Sequence, residues 1–161
     1  MYELSGDITL PASPEEIWEL LNDASALARA LPGCERLVRE SEDLYRADLR
    51  VGLAGIKGTY RGTLRVADRK RPEWMCLEIG GNGAGGFVQV SGTIRLQPSD
   101  GGTALHYEWQ IQVGGPVAMV GQRVLGGAAR HLVGDFFARL EREARARAGQ
   151  GGGTSGTGAV G

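Results

Sequence analysis

Between Glu35 and Val113 the chain repeats one short pattern, apolar then polar, and this limits the available folds more than any other feature. The clearest case is IKGTYRGTLRVADR. Here Ile56, Gly58, Tyr60, Gly62, Leu64 and Val66 alternate with Lys57, Thr59, Arg61, Thr63 and Arg65. Successive strand side chains point to opposite faces, so one face of the sheet is buried and the other wet. That arrangement is typical of antiparallel sheets; parallel ones are covered on both sides. LYRADLRVGL would bury Ala47, Leu49 and Val51, and EWMCLEI would bury Met75, Leu77 and Ile79. FVQVSGTIRL offers Val88, Val90, Ile94 and Leu96, while TALHYEWQIQV offers Leu105, Tyr107, Trp109, Ile111 and Val113. The connections GGNGAGG and PSDGG read as hairpin turns.

Helices flank this run. A first strand over residues 3–10 carries Leu4, Gly6, Ile8 and Leu10 on one side. SPEEIWELLND then begins a short helix, with Ser13 as N-cap, Pro14 at the first helical position and Glu16 completing a capping box. A second short helix, SALARAL, stops at Pro32-Gly33. After the strands, Pro116 opens a long helix running to about Ala148. The order predicts an α+β helix-grip fold: a curved antiparallel sheet of six to seven strands wrapped around the C-terminal helix, with two short helices after the first strand. One domain over residues 1–148 is expected, followed by a disordered Gly/Ser/Thr-rich tail, 149–161.

The long helix is an odd one. GQRVLGGAARHLVGDFF, residues 121–137, holds four glycines, each costing about 1 kcal/mol relative to alanine in a helix interior. On a helical wheel Gly127 and Gly134 fall beside Arg123, Arg130 and Glu141, facing water, and Gly126 lies at the edge. Gly121 falls inward with Ala118, Leu125, Ala128 and Ala129. Farther along, the same face becomes Leu132, Val133, Phe136 and Leu140. Either the small residues leave a cavity above an apolar, aromatic sheet face, or they let helix and sheet approach closely.

Signals for chemistry are sparse. A net charge of −1 offers no basic excess for nucleic acid. Cys34 and Cys76 have neither metal nor disulfide spacing and read as small buried residues in a reducing cytosol. His106 alternates away from Tyr107 and Trp109 and so points outward; His131 lies on the polar flank of the helix, with Asp135 one turn on. No GxSxG, HExxH or GxxxxGK[ST] occurs, so neither catalytic residues nor a metal site are assigned. Lys57, Arg61 and Arg65 read as a solvated outer face. The arginines of ARLEREARARA lean toward an anionic membrane surface or a protein partner. The opening MYELSGDITLPASPEE lacks the basic start and apolar stretch of a signal peptide, and no run reaches the ~20 apolar residues of a membrane span. The expected location is cytoplasmic, with peripheral contact at the inner face of the inner membrane.

Three segments, NDASALARALPGCERL, GLAGIKGTYRGTLRVADRKRP and VGGPVAMVGQRVLGGAARHLVGDFFARLE, resemble the CoxG family, the G subunit of carbon monoxide dehydrogenase, within the START-like (SRPBCC) superfamily. The likeness extends over about residues 2–143. The resemblance implies an accessory protein for molybdenum hydroxylases of the carbon monoxide dehydrogenase type. It implies a bound menaquinone or other quinone, no covalent cofactor, and attachment of the enzyme to the membrane. Proposed anchors in the family continue into a membrane-binding segment, whereas here a Gly/Thr/Ser tail follows Gln150, which favours ligand carriage over anchoring. The expected ligand contacts are Leu49, Val51, Ile56, Tyr60, Leu64, Met75, Leu77, Val90, Tyr107, Trp109, Gly121, Leu125 and Ala128, with the Tyr60 hydroxyl as polar handle. The alternatives are a tethering or assembly factor with no ligand, and a small cyclase or hydrolase acting on an aromatic substrate.

Overall fold

The computed structural model describes residues 2–52 and 57–157, with side chains as far as Arg147. Among the described residues seven strands form one antiparallel sheet: β1 (Tyr2–Leu10), β2 (Cys34–Ser41), β3 (Leu44–Val51), β4 (Gly58–Lys70), β5 (Trp74–Gly83), β6 (Gly86–Ser99) and β7 (Gly102–Gly114). Their spatial order is β1-β7-β6-β5-β4-β3-β2. Strands β2 to β7 thus form a simple meander, and β1 closes on the last of them, from Tyr2↔Ile111 to Leu10↔Thr103. The helices α1 (Pro14–Leu21) and α2 (Ala24–Ala30) carry the chain from one sheet edge to the other. A short 3-10 helix, Gly115–Val120, leads into α3 (Gln122–Thr157).

The local signals explain these elements. At α1 the capping box is complete: the Ser13 hydroxyl accepts from Glu16 N at 3.2 Å, and Ser13 N donates to Glu16 Oε1 at 2.9 Å. Asp23 caps α2 by accepting from the amides of Ser25 and Ala26. The same carboxylate takes Arg147 Nη2 at 2.7 Å, and Glu143 holds Arg29 through both oxygens, so two ion pairs fasten α2 to α3.

Three sequence expectations change. The long helix does not begin at Pro116, which lies in the 3-10 helix; α3 begins at Gln122 and extends past Ala148. Gly121 is not on the inward helix face. It is an exposed hinge between the two helices with φ +90°, a conformation that L side chains rarely adopt, and it accepts the first α3 hydrogen bond from Leu125 N. GGNGAGG is not a loop throughout either: β5 continues to Gly83, β6 resumes at Gly86, and only Ala84-Gly85 make the turn. Ladder bonds use the backbone alone, so these glycines can pair while leaving no side chain above the sheet.

The packed core lies at one end of the sheet. Leu10, Ile17, Trp18, Leu20, Met75, Ile94, Leu105, Phe137, Leu140 and Ala144 are buried there, where α1 and the later turns of α3 meet strands β4 to β7. α3 packs closely on α2, α1 and β1. Earlier in α3 the helix and the middle strands are separated by open space.

Candidate functional site: an apolar cavity under the long helix

That space is a cavity of about 660 Å³, within the roughly 300–1,000 Å³ of small-molecule sites. The inward faces of strands β3 to β7 form its floor. Leu125, Ala128, Ala129, Leu132, Val133 and Phe136 of α3 form its roof. The gradient along α3 is only partly a gradient in space: Ala128 and Ala129 stand over the cavity, but so do Leu132, Val133, Phe136 and Phe137, and the packed core is reached at Leu140 and Ala144. No lysine, arginine, aspartate, glutamate or histidine lines the cavity among the described residues.

Glycines shape the floor by letting aromatic rings lie flat across neighbouring strands. A Cβ on Gly92 would come within 2.3 Å of the Trp109 ring, and one on Gly6 within 2.5 Å of the Tyr107 hydroxyl. Such cross-strand rings over glycine stabilise a sheet that lacks side chains there. Gly62, Gly80 and Gly81, on paired β4 and β5, line the cavity directly and lower its floor.

Of the expected contacts, Leu49, Val51, Tyr60, Leu64, Met75, Leu77, Val90, Trp109, Leu125 and Ala128 all line this one cavity. Ile56 lies outside the described residues. Tyr107 does not line the cavity: its ring is stacked against Phe137 and Trp109, at centroid distances of 5.1 and 6.1 Å. Gly121 does not line it either, because the helix starts one residue later. Further wall residues were legible as inward strand positions, namely Val88, Ile111 and Val113. Others, Leu21, Leu27, Leu31 and Tyr45, come from the two short helices and β3. The local pattern marks Leu21 as an inward position of α1, but nothing local ties Leu21, Leu27 or Leu31 to this wall, since only the fold brings those helices over the sheet.

The cavity has a closed end and an open end. Tyr45, Val66, Met75, Leu77, Ile94 and Phe137 are all buried. By contrast Leu49, Val51, Val88, Val113 and Leu125 are half-exposed. Around that open end stand three large exposed apolar side chains: Phe87, Val124 and Met119, the last 84% exposed. Exposed Lys57, Arg61 and Arg123 share this end, with Asp48 opposite Arg61 in the ladder and Glu35 paired to Arg50 at 3.3 Å.

Polar atoms in the wall are few. Burial pushes the Tyr60 phenol up, so it stays protonated and able to donate. Its hydroxyl lies beside Gly85 in the β5–β6 turn. The Tyr45 hydroxyl, raised chiefly by burial, donates to Asn22 O at 3.4 Å. Trp109 Nε1 is shielded from solvent and has no hydrogen-bond partner among the described residues.

The two histidines lie elsewhere. His106 is on the outer sheet face, with Nδ1 at 2.8 Å from Asp7 and Nε2 at 2.9 Å from Glu108. Asp7 comes from β1, which the β1–β7 register places directly opposite His106. His131 is exposed on α3. Cys34 and Cys76 are free and half-buried. Among the described residues no group of three or more His, Cys, Asp or Glu side chains could hold a metal ion, and no helix is long and apolar enough to cross a membrane.

The profile of the CoxG family, the G subunit of carbon monoxide dehydrogenase, matches residues 6–145, nearly all of the folded chain. The chain belongs to that family. A crystal structure of a conserved protein from Geobacillus kaustophilus is 41% identical, with a TM-score of 0.86 over 89% of this chain and 95% of that one. More distant structures share the START-like fold alone. A Mycobacterium smegmatis protein is 14% identical with a TM-score of 0.70, covering 90% of this chain and 92% of its own. A Thermus thermophilus protein is 18% identical at 0.67, covering 91% and 99%. None of the curated proteins matches the sequence.

Proposed function

We propose that this CoxG family member is an accessory protein that binds a hydrophobic ligand, a respiratory quinone of the menaquinone kind, and delivers it to a carbon monoxide dehydrogenase-type molybdenum hydroxylase. The observation that carries the reading is the cavity: about 660 Å³, apolar, without a charged side chain among its described walls, and roofed by apolar side chains of α3 from Leu125 to Phe136. The family's name supplies the partner class. Each buried CH₂ of such a ligand contributes about 0.8 kcal/mol, so a prenyl chain gives ample affinity even after the losses of immobilisation. The Tyr60 phenol is the polar handle for a quinone carbonyl.

The exposed Phe87, Met119 and Val124, with Lys57 and Arg123 at the same end, support loading at an anionic membrane surface. That same observation favours the second reading, a tether whose cavity carries nothing. Native mass spectrometry with lipid extraction, on protein from a menaquinone-producing host, tests the carrier. A co-purifying quinone is the expected result. Protein that arrives empty and takes up no added menaquinone refutes carriage. Binding to anionic vesicles would then leave the tether as the function.

A further inference from the structure

Several glycines lie within the strands of the sheet, and four of them are covered by the ring of the residue directly across the ladder. Trp109 lies over Gly92, Tyr107 over Gly6, Tyr60 over Gly83 and Phe87 over Gly114. A ring in that position shields backbone that the glycine leaves bare. Gly62 and Gly81 break the pattern. They face each other in the β4–β5 ladder, so neither has a side chain to cover the other. A Cβ on Gly81 would meet nothing within 4 Å, and one on Gly62 would meet only backbone and, at 3.9 Å, Leu49 Cδ1. Ala47 continues the row on β3, where it pairs with Gly62. All three residues line the cavity. The floor thus holds a flat shelf across three strands, about 10 Å from Ala47 to Gly81 at the inter-strand spacing. Leu49 and Tyr60 border it on one side, Leu64 and Ile79 on the other.

We propose that a planar ring of the ligand lies flat on this shelf and supplies the cover that Gly62 and Gly81 lack. This rests on the carrier reading and adds what that reading leaves open: where the ring sits, and which residues select it. A glycine inside a strand weakens the strand and marks a place where something approaches the backbone closely. Here the space above is cavity, and among the described residues no side chain reaches over Gly81. A flat ring meets the bare peptide planes over its whole face. A lone alkyl chain touches them along one line, and the rest of the shelf keeps no packing partner. The described walls hold no charged side chain, so the ring is an uncharged one. Valine at position 81, which strand propensity favours, would stand where the ring lies. Glycine there serves the ligand rather than the fold.

The test uses the full chain, isotope-labelled and stripped of lipid, with a menaquinone that carries two prenyl units. Intermolecular NOEs are recorded from the protons of its fused ring. The expected result is NOEs to the α protons of Gly62 and Gly81. Gly81→Val should melt no lower than the parent, yet bind this quinone about tenfold or more weakly, because methyl groups are forced into a filled site. The NOEs decide the placement whether or not that variant folds. Ring NOEs confined to side chains away from the shelf, or unchanged affinity in folded Gly81→Val, overturn the placement while leaving the carrier intact. Parent protein that takes up no menaquinone overturns the carrier reading and the placement with it.

Discussion

Replacing Gly127 and Gly134 with alanine should stabilise this protein. Both positions lie inside α3 and are exposed, and a Cβ built on either meets nothing within 4 Å. The gain is then intrinsic propensity alone, about 1 kcal/mol each. The two sites are seven residues apart, about 10.5 Å along the axis at 1.5 Å per residue, far enough for their effects to add to about 2 kcal/mol. For a domain of this size that raises the midpoint by about 4–8 °C. Urea and thermal melts of the single and double variants measure it. Gly126 provides the contrast, because a Cβ there comes within 2.8 Å of the Tyr2 hydroxyl, which accepts a hydrogen bond from Arg130. Gly126→Ala should therefore gain less than the other two or lose stability. A double variant no more stable than the parent would refute the reasoning, for it would mean that the roof helix is not an ordinary solvated helix at those turns.

Ala128→Trp projects a ring from the roof into the cavity and should abolish uptake of menaquinone or oleate while the far-ultraviolet circular dichroism stays that of the parent; unchanged affinity would displace the site. Ser13→Ala should cost about 1 kcal/mol through loss of the α1 cap. The Glu16 carboxyl is held below its ordinary value of 4.5 by the Ser13 backbone N–H and then the Ser13 hydroxyl. Its contribution is thus full above pH 4.5 and lost as pH falls through the lower folded value, so the deficit of Glu16→Ala in urea melts should narrow in acid. His106 has the opposite sign: Glu108 and then Asp7 raise its pKa above 6.5. Its stabilisation is complete below pH 6.5 and disappears as pH rises through the raised value. An imidazole NMR titration should show this, with Asp7→Asn plus Glu108→Gln returning the midpoint toward 6.5; a parental midpoint at or below 6.5 would refute the double pairing.

Much of the architecture was written locally. Period-two alternation identified the strands and their buried faces, since side-chain direction in a strand depends only on parity. Ser13, Pro14 and Glu16 marked the start of α1 because a capping box closes within four residues. The small-to-large gradient of the last helix also stood in the sequence, but two meanings fitted it: a cavity, or close approach. Choosing between them requires the distance between α3 and the middle strands, and that distance is set elsewhere, by the Arg29–Glu143 and Arg147–Asp23 pairs and the core around Leu140. Tertiary structure alone likewise removed Gly121 and Tyr107 from the wall, the first through a backbone turn and the second through its stack on Phe137. It also brought Leu21, Leu27 and Leu31 into the wall, and Asp7 to His106. A pattern in one segment records which side is apolar; what that side faces is decided by segments far away in the chain, and no local spacing encodes their arrival.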